Sequence, residues 1–215
     1  MKDVKREKMM GMSMTILAKR YTKKAMVDQG TPEDTLFMTL LSARTRDEQV
    51  IKAYPGFRRA FPRLQDVAEA SVLAIGKKIS TIGLYRAKAR ALKATARLLI
   101  THHNGRVPST MEELIALPGV GRKTASCVLA YAFKIPAIAV DTHVFRISHR
   151  LGWAQGRTPE KVEQELKQVI PRRFWLAINR VFVLFGREIC TSRKPQCWRC
   201  PLAAMCAYPA KNLRT

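Results

Sequence analysis

The sequence predicts an all-α fold, and two observations support that prediction. Apolar residues recur at the three- and four-residue spacing of a helix in one segment after another. Several of these segments open on a helix-capping residue followed by proline or acids, as in "TPEDTLFMTLLSAR" and "TPEKVEQELKQVI". The β-branched stretch "IPAIAV" has no second convincing strand to pair with, so we interpret it as an extended connector.

Four helices are expected in the first half of the chain. The first follows Thr31, which is an N-cap with proline at the next position. The second covers "TRDEQVIKAYPGF" and is expected to end at the breaker pair Pro55 and Gly56. The third is expected as a single helix over "RLQDVAEASVLAIG". The fourth begins near Tyr85 and ends at Gly105.

Five more helices are expected in the second half. The short helix in "STMEELIAL" opens at Ser109 or Thr110, and a glycine hairpin follows it. "RKTASCVLAYAF" is apolar on more than one side, which predicts a buried helix. "DTHVFRISHRLG" has Asp141 as its N-cap and Gly152 as its stop. "TPEKVEQELKQVI" and "FWLAINRVFVLFGREIC" complete the set.

The charge of the chain indicates a polyanionic partner. Lysine and arginine number 39 against 16 acids, for a formal net charge of +23, and basic residues run from Lys2 to Arg214. The folded body itself should therefore be positive, which makes nucleic acid the first candidate partner. An anionic membrane surface is the second, and a generally basic proteome is the uninformative alternative.

Nothing in the sequence predicts a membrane or export signal. No apolar run approaches the ~20 residues that span a bilayer. The N-terminal segment lacks the apolar core of a signal peptide, and its acids argue against a transit peptide. We therefore expect a cytoplasmic protein of a prokaryote, with its cysteines in a reducing compartment where metal ligation outranks disulfides.

Four of the five cysteines cluster near the C-terminus with the spacing C-x6-C-x2-C-x5-C: Cys190, Cys197, Cys200 and Cys206. Structural zinc sites more often use two C-x2-C pairs separated by a longer insert. One tight pair flanked by wider loops favours a [4Fe–4S] cluster, with zinc and disulfides as the alternatives. Cys127 lies in the helix predicted to be buried and is interpreted as a core thiol.

The loop enclosed by the first two cysteines carries Arg193 and Lys194. A metal-pinned loop with two cations at its tip is suited to binding phosphate. The competing interpretation is a solvated loop in an already basic protein.

The hairpin "LPGVGRKTA" predicts an anion site at the start of a helix. Gly119 and Gly121 permit positive φ and a close backbone approach, and the N–H groups of the following helix point outward. Many helix–helix turns contain such a P-G-x-G pattern, so the motif alone is a weak signal.

Lys123 lies in the first turn of that helix, where the helix dipole disfavours its ammonium form. It is either a surface lysine that contacts phosphate or an amine with a lowered pKa that acts as a nucleophile. A nucleophilic amine needs a carboxylate nearby, and Asp141 is a candidate besides its role as an N-cap.

The order of these motifs resembles that of the endonuclease III family of helix-hairpin-helix DNA repair glycosylases. The resemblance rests on "LPGVGRKTA", "VDTHVFR" and the cysteine spacing, and it includes "LLSARTRDE" and "STIGLYRAKA". It implies two helical domains that flank a DNA-binding cleft. One, over residues 25–136, contains the hairpin, and the other combines residues 1–24 with residues 137–215 and holds the [4Fe–4S] cluster.

The resemblance implies a bifunctional DNA glycosylase and AP lyase. Lys123 would attack C1′ of a damaged nucleotide with help from Asp141, and β-elimination would then nick the strand 3′ of the abasic site. The implied partner is double-stranded DNA that contains damaged bases, oxidised pyrimidines above all, or abasic sites, bound by a monomer. The candidate DNA contacts are Arg44, Leu84, Gly119, Val120, Gly121, Arg122, His143, Arg193 and Lys194.

Two of those contacts carry open questions. By resemblance Leu84 is the wedge inserted into the duplex, although a leucine can equally be a core residue. Arg44 stands where bacterial members of the family usually have glutamine. Arginine prefers the acceptors of guanine, which leaves the opposite-base preference open.

Two alternatives compete with the lyase. A monofunctional mismatch-specific glycosylase shares the fold, but its adenine-removing branch usually has serine and its thymine-removing branch usually has tyrosine where this chain has Lys123. A non-catalytic DNA-binding protein would use the hairpin and the cluster only as architecture, and the pairing of Lys123 with Asp141 argues against it.

Overall fold

The computed structural model describes residues 2–21 and 30–214, with side chains described from residue 7 onward in the first segment. Every regular element in these residues is a helix, which confirms the all-α class. The α-helices are α1 (Lys2–Tyr21), α2 (Pro32–Ser42), α3 (Asp47–Ala60), α4 (Leu64–Glu69), α5 (Val72–Lys78), α6 (Tyr85–His102), α7 (Met111–Ile115), α8 (Arg122–Tyr131), α9 (Thr142–Arg150), α10 (Pro159–Val169) and α11 (Trp175–Glu188). Short 3-10 turns cover Arg172–Phe174, Cys197–Arg199 and Ala203–Met205.

The chain divides into two compact units. One is Gln29–Lys134, which we call the hairpin unit because it contains the α7–α8 turn. The other combines Met1–Asp28 with Ile135–Thr215, and we call it the cysteine unit because it contains the cysteine-rich loop. None of the helices in the described part of the chain has the length and apolarity needed to cross a lipid bilayer.

The hairpin unit is built around α2. Its side chains are buried without a break from Thr35 to Leu41, so this helix must be covered on all sides. It packs against α3, α6 and α8, and α6 in turn packs against α4 and α5. Phe37 of α2 meets Phe57 of α3 edge to face, with ring centroids 6.2 Å apart.

The cysteine unit has α11 at its centre, packed against α1 and α9. Tyr21 at the end of α1 lies with its ring 6.2 Å from that of Phe185 on α11. Trp153, which follows α9, lies 5.6 Å from Phe182 of the same helix. These aromatic contacts join segments that are distant in sequence into one core.

The prediction that α3 ends at its Pro-Gly pair is wrong. The helix continues to Ala60 with Pro55 inside it. An interior proline removes one backbone hydrogen bond and costs roughly 3 kcal/mol. Tyr54 and Phe57 on either side of it are buried in the core of the hairpin unit, and their burial offsets the local cost.

The prediction of one helix over "RLQDVAEASVLAIG" is also wrong. The segment forms two helices, α4 and α5, and Ser71 stands between them. The side-chain oxygen of Ser71 accepts a hydrogen bond from the backbone N–H of Ala74 at 3.1 Å, which makes it the N-cap of α5. An N-cap residue must leave helical geometry, so the serine that starts α5 also separates it from α4.

Residues 134–140, which include "IPAIAV", have no regular secondary structure, as predicted. Ile138 and Val140 are buried in the cysteine unit. The carbonyl of Ala139 accepts a hydrogen bond from the side-chain amide of Asn179 on α11 at 2.9 Å. This contact attaches the connector that leads into Asp141.

The carboxylate of Asp34 joins α2 to α3. It accepts a hydrogen bond from the backbone N–H of Thr31 at 3.1 Å and one from the hydroxyl of Tyr54 at 2.6 Å. Arg58 of α3 lies 3.0 Å from the same carboxylate. Burial raises the pKa of Asp34, but the hydrogen bonds from Tyr54 and Thr31 outweigh it and hold that pKa below its usual value.

We expect Asp34→Asn to destabilise the protein in a pH-dependent way. Because the pKa of Asp34 is lower in the folded than in the unfolded state, its carboxylate stabilises the fold above the unfolded pKa of about 3.9. That contribution is lost as the pH falls through the folded pKa. Urea unfolding at pH 7 should show a loss of about 1–2 kcal/mol, and the difference from the wild type should shrink toward pH 3.

Asp66→Asn is the control, since Asp66 pairs with the exposed Arg63 at the surface. Its effect at pH 7 should be the smaller of the two. A difference between wild type and Asp34→Asn that stays constant from pH 7 to pH 3 would contradict the role of the Asp34 charge.

Candidate functional site

The glycine hairpin between α7 and α8 depends on Gly119. Its φ is 77°, in the left-handed region that favours glycine. A Cβ atom at this position would lie 2.9 Å from the Cβ atom of Ala91 on α6. Next to it, the backbone N–H of Val120 donates to the carbonyl of Leu117 at 3.1 Å, and both of these side chains are buried. The hairpin is therefore pressed against α6 at a position only glycine fits.

Gly121 has a different role from the one expected. It is the N-cap of α8 with φ of −91°, a backbone conformation that any residue adopts. Nothing lies within 4 Å of a Cβ atom built on it. Of these two glycines, only Gly119 has the expected left-handed backbone and close packing. The space beside Gly121, at the N-terminus of α8, is open.

Lys123 is the second residue of α8, directly after Arg122, and both side chains are exposed. The first N–H groups of a helix have no partner within it and carry the positive end of its dipole. A bound anion can accept from those groups. The structure therefore places Lys123 at the same helix end as the backbone predicted to bind an anion.

Asp141 caps α9, as predicted. Its Oδ1 atom accepts hydrogen bonds from the backbone N–H groups of His143 at 2.9 Å and Val144 at 2.8 Å. Neither bond uses Oδ2. Asp141 is half-buried and belongs to the cysteine unit, whereas Lys123 belongs to the hairpin unit.

Among the described residues of the hairpin unit, four other than glycine have left-handed backbone, namely Asn104, Lys134 and the two candidate DNA contacts Arg44 and Leu84. Arg44 has φ of 53°, in the turn after α2, and Leu84 has φ of 59°, immediately before α6. This conformation costs roughly 1–2 kcal/mol for such residues. The side chain of Leu84 is 61% exposed, so Leu84 is not a core leucine. A large apolar residue held strained and exposed is a sign of function.

The four clustered cysteines line one cavity of the cysteine unit, together with Arg150, Phe185 and Tyr208. Burial raises the pKa of the Cys200 thiol to about 11, and the other three cysteines add to that rise. Four thiols that influence one another in this way suit a shared metal centre, whose positive charge stabilises thiolates. No three histidine, cysteine, aspartate or glutamate side chains in the described residues converge on a point that could hold a single metal ion. A [4Fe–4S] cluster does not need such convergence, because each of its irons takes one cysteine.

Arg150 of α9 holds the first part of the cysteine loop. Its guanidinium donates to the carbonyls of Thr191 and Ser192, each at 2.7 Å, and lies 3.4 Å from the Sγ atom of Cys190. The backbone N–H of Leu202 lies 3.4 Å from the Sγ atom of Cys200. Both groups are donors, and hydrogen bonds to the sulfurs help to set the reduction potential of an iron–sulfur cluster.

The tip of this loop presents Arg193 and Lys194 to solvent. The hydroxyl of Thr191 donates to the carbonyl of Lys194 at 2.6 Å. Both predicted phosphate contacts are therefore exposed on a loop that is fixed at its base.

Comparison with known proteins identifies the family. Residues 37–172 match the HhH-GPD superfamily of base excision DNA repair proteins, and residues 190–206 match the iron–sulfur binding domain of endonuclease III. The endonuclease III of Thermotoga maritima is 45% identical over 177 residues, which is 82% of this chain and 83% of the relative. That of Escherichia coli K12 is 41% identical over 181 residues, 84% and 86% of the two chains.

The chain belongs to the endonuclease III family.

Solved structures show the same relationship. A trapped covalent intermediate of an endonuclease III with DNA, in an estranged-adenine complex, superposes with a TM-score of 0.86 at 35% identity and covers 93% of this chain and 95% of that one. A thermostable thymine-DNA glycosylase superposes with a TM-score of 0.82 at 26% identity over 95% and 96% of the two chains.

Membership in the endonuclease III family decides between the metal alternatives. The match over Cys190–Cys206 is to an iron–sulfur domain, so the cofactor is a [4Fe–4S] cluster and not zinc. The four cysteines are positioned to bind it. When bound, the cluster supplies Fe–S bonds that hold the two halves of the loop together.

Two residues near His143 were missed by the sequence analysis. Arg146 lies one turn further along α9, and its Nη2 atom is 3.2 Å from Nδ1 of His143 and donates to the carbonyl of Cys190 at 2.9 Å. Gly186 of α11 faces both side chains, and a Cβ atom there would overlap Nδ1 of His143. A glycine inside an apolar helix was the available signal for such a close approach.

We expect Gly119→Ala to lower the free energy of unfolding by about 2 kcal/mol or more, because it adds left-handed strain to the overlap with Ala91. Gly121→Ala is the matched control, two residues away with extended backbone and open space, and should cost less than about 1 kcal/mol. Thermal or urea unfolding of both variants measures the difference. Equal losses for the two variants would show that the left-handed turn does not determine the hairpin.

Proposed function

We propose that Lys123 and Asp141 carry out the reaction of this chain, a bifunctional DNA glycosylase and AP lyase of base excision repair. The observation that supports this assignment is a lysine at the exposed N-terminus of α8, in the hairpin characteristic of the family. The related endonuclease III forms a covalent intermediate with DNA, which requires a nucleophile on the protein.

The proposed reaction begins at the amine of Lys123. Its uncharged form attacks C1′ of the extruded nucleotide, and the damaged base leaves with the electron pair of the glycosidic bond and takes up a proton. The nitrogen then loses a proton, and the C1′–O4′ bond breaks as the ring oxygen takes one up, which opens the sugar and gives an iminium. The iminium withdraws electrons so that a C2′ proton can be removed and the C3′–O bond broken, which nicks the strand 3′ of the site.

We propose that Asp141 assists through the carboxylate that already caps α9. Both capping hydrogen bonds use Oδ1, so the carboxylate is held in one orientation while Oδ2 can accept a proton or face a developing positive charge. Since Lys123 and Asp141 lie in different units, their joint action requires DNA that contacts both. We propose that the two units are the two domains expected from the family.

The remaining DNA contacts divide by chemistry. We propose that backbone groups of the hairpin around Gly119 to Gly121, with Arg122, bind phosphate at the start of α8. Arg193 and Lys194 would bind phosphate from the loop that the cluster holds. His143, half-buried at the start of α9, would lie near the backbone beside the lesion.

We propose that Leu84 is the wedge and that Arg44 faces the estranged base. Extruding a nucleotide leaves a gap in the duplex, and its cost falls when another group fills that gap. Leu84 is apolar, exposed and on a turn, as a wedge must be. Arg44 lies exposed on a turn of the same unit, and its guanidinium can donate two hydrogen bonds to guanine.

We propose oxidised pyrimidines in double-stranded DNA as substrates, bound by a monomer in the cytoplasm of a prokaryote and associated with the nucleoid. The net charge of +23 supports binding to a polyanion, and the relatives named above are bacterial.

A mismatch-specific monofunctional glycosylase is the alternative that the similarity to thymine-DNA glycosylase raises. The higher identity to the endonucleases III and the presence of Lys123 favour the lyase. A monofunctional enzyme would remove a base without forming a covalent bond to the sugar.

We expect Lys123→Ala to abolish both strand nicking and borohydride trapping on duplex DNA with one abasic site, because the nucleophilic nitrogen is gone. DNA binding should persist. Arg122→Ala is the matched control, since it removes a neighbouring charge but no nucleophile, and should be trapped while binding DNA more weakly. Continued trapping of Lys123→Ala would refute the assignment.

Asp141→Asn tests the proposed role of Asp141 by comparing base removal with borohydride trapping. The amide can still accept the capping hydrogen bonds but cannot take a proton at neutral pH. Base removal should slow strongly while the lysine still forms the trapped species on a preformed abasic site. An unchanged rate of base removal would eliminate Asp141 from the mechanism.

We expect Arg44→Gln to change the opposite-base preference. An arginine that bonds both acceptors of guanine is worth about 1–3 kcal/mol of discrimination, so the preference for lesions opposite guanine should fall about tenfold. Excision rates with the same lesion opposite each of the four bases measure this. Arg46→Gln, at an exposed arginine two residues away, should leave the preference as it is; an identical profile for wild type and Arg44→Gln would contradict the contact.

A further inference from the structure

Lys88 is a buried lysine that no step of the reaction uses. It lies in the first turn of α6, and only 6% of its surface is exposed. Its Nζ atom donates to the carbonyl of Leu41 at 2.7 Å and lies 2.6 Å from the hydroxyl oxygen of Thr45. Burial lowers the pKa of Lys88, so holding an ammonium group here is costly and the hydrogen bonds must compensate.

Those bonds end on the segment that carries Arg44. Leu41 lies in the last turn of α2, and Thr45 directly follows Arg44. We call residues 43–46 the Arg44 turn. Lys88 therefore forms hydrogen bonds to the chain before and after Arg44, the residue with left-handed backbone.

The same lysine also bonds to the segment that carries Leu84. Its backbone N–H makes the first i→i−4 hydrogen bond of α6, to the carbonyl of the N-cap residue Leu84 at 3.1 Å, as any residue other than proline would at this position. We call residues 79–84 the Leu84 turn. One residue thus contacts both turns, the Arg44 turn through its side chain and the Leu84 turn through its backbone.

The two turns are also in close contact with each other. A Cβ atom built on Gly83 would lie 3.4 Å from the hydroxyl oxygen of Thr45 and 3.7 Å from the carbonyl oxygen of Arg44. These are ordinary van der Waals distances, so Gly83 of the Leu84 turn packs directly against Arg44 and Thr45 of the Arg44 turn. Left-handed residues such as Arg44 and Leu84 persist only where the surroundings determine their conformation.

We propose that Lys88 is a positioning residue that holds the Arg44 turn and the Leu84 turn together as one preorganised wedge. The proposal rests on the assignment of Leu84 and Arg44 to the gap in the duplex, and it adds the residue that sets their separation. Arg44 and Leu84 must enter the duplex together when a nucleotide is extruded. If the spacing of the two turns is already fixed, the turns do not have to be ordered during extrusion. The chemistry at Lys123 does not depend on that spacing once a sugar is already accessible.

Lys88→Met tests the proposal, because methionine has nearly the same length and keeps the packing but donates no hydrogen bond. Single-turnover excision of an oxidised pyrimidine from duplex DNA should fall about tenfold, the effect of losing roughly one net hydrogen bond at the limiting step. Borohydride trapping on a single-stranded oligonucleotide with one abasic site needs no wedge and should stay within about twofold of the wild type. Equal losses with both substrates, or no loss with either, would overturn the proposal.

Lys93→Met is the matched control. Lys93 lies on the same helix, and its Nζ atom donates to the carbonyl of Ala70 at 2.6 Å, so the variant removes a similar bond away from both turns. It should excise from the duplex at the rate of the wild type. A loss as large as that of Lys88→Met would show that any such bond on α6 has this effect.

A second readout follows extrusion directly. With 2-aminopurine placed opposite the lesion, binding of the wild type should raise its fluorescence by unstacking it, and Lys88→Met should give a smaller and slower rise. Thr45→Val removes one acceptor and keeps Lys88, so a smaller change in the same direction is expected even if Lys88→Met folds poorly. Unchanged fluorescence with Thr45→Val would count against the proposal.

Trapping of the wild type separates the role of Lys88 from that of Lys123. If the wild type is trapped on neither duplex nor single-stranded abasic DNA, the lyase assignment fails. If the wild type is trapped and Lys88→Met excises from duplex at the same rate, only the role of Lys88 fails.

Discussion

One face of α6 determines the geometry of three turns of the hairpin unit. Lys88, Ala91 and Thr95 follow one another at helical spacing along this face. Lys88 bonds to the turns that carry Arg44 and Leu84, Ala91 lies beneath Gly119, and the hydroxyl of Thr95 donates to the carbonyl of Pro118 at 3.0 Å. Left-handed backbone is costly, so each turn needs such support. The helix thereby supports both the candidate wedge and the hairpin proposed to bind an anion.

A comparable role falls to α9 in the cysteine unit. Its N-terminus is capped by Asp141, and its later turns present Arg146 and Arg150, which donate to backbone carbonyls between Cys190 and Ser192. Arginine has several donors in a rigid planar group, which suits it to fixing a loop without secondary structure. The candidate catalytic carboxylate and the start of the cluster loop are thus attached to one short helix, which packs against α11.

The net charge of +23 favours binding of the protein to a polyanion. Two of the exposed cations, Arg122 and Lys123, lie on the first turn of α8, where the backbone is also suited to binding an anion. Such an arrangement repels itself in the absence of a counter-charge, and a polyanion relieves that repulsion. Family membership and the charge distribution therefore point to the same substrate from independent directions.

The sequence by itself determined the helical class, the caps at Thr31 and Asp141 and the cofactor, because these depend on local spacing and on side-chain chemistry. It failed at Pro55, where burial of neighbouring aromatics overrides a helix breaker, and at Ser71, where a cap divides a continuous pattern. Only the tertiary structure revealed Lys88, Arg146 and Gly186, since their partners are distant in sequence. It also decided that Leu84 is exposed, because exposure depends on what packs around a residue and not on its type.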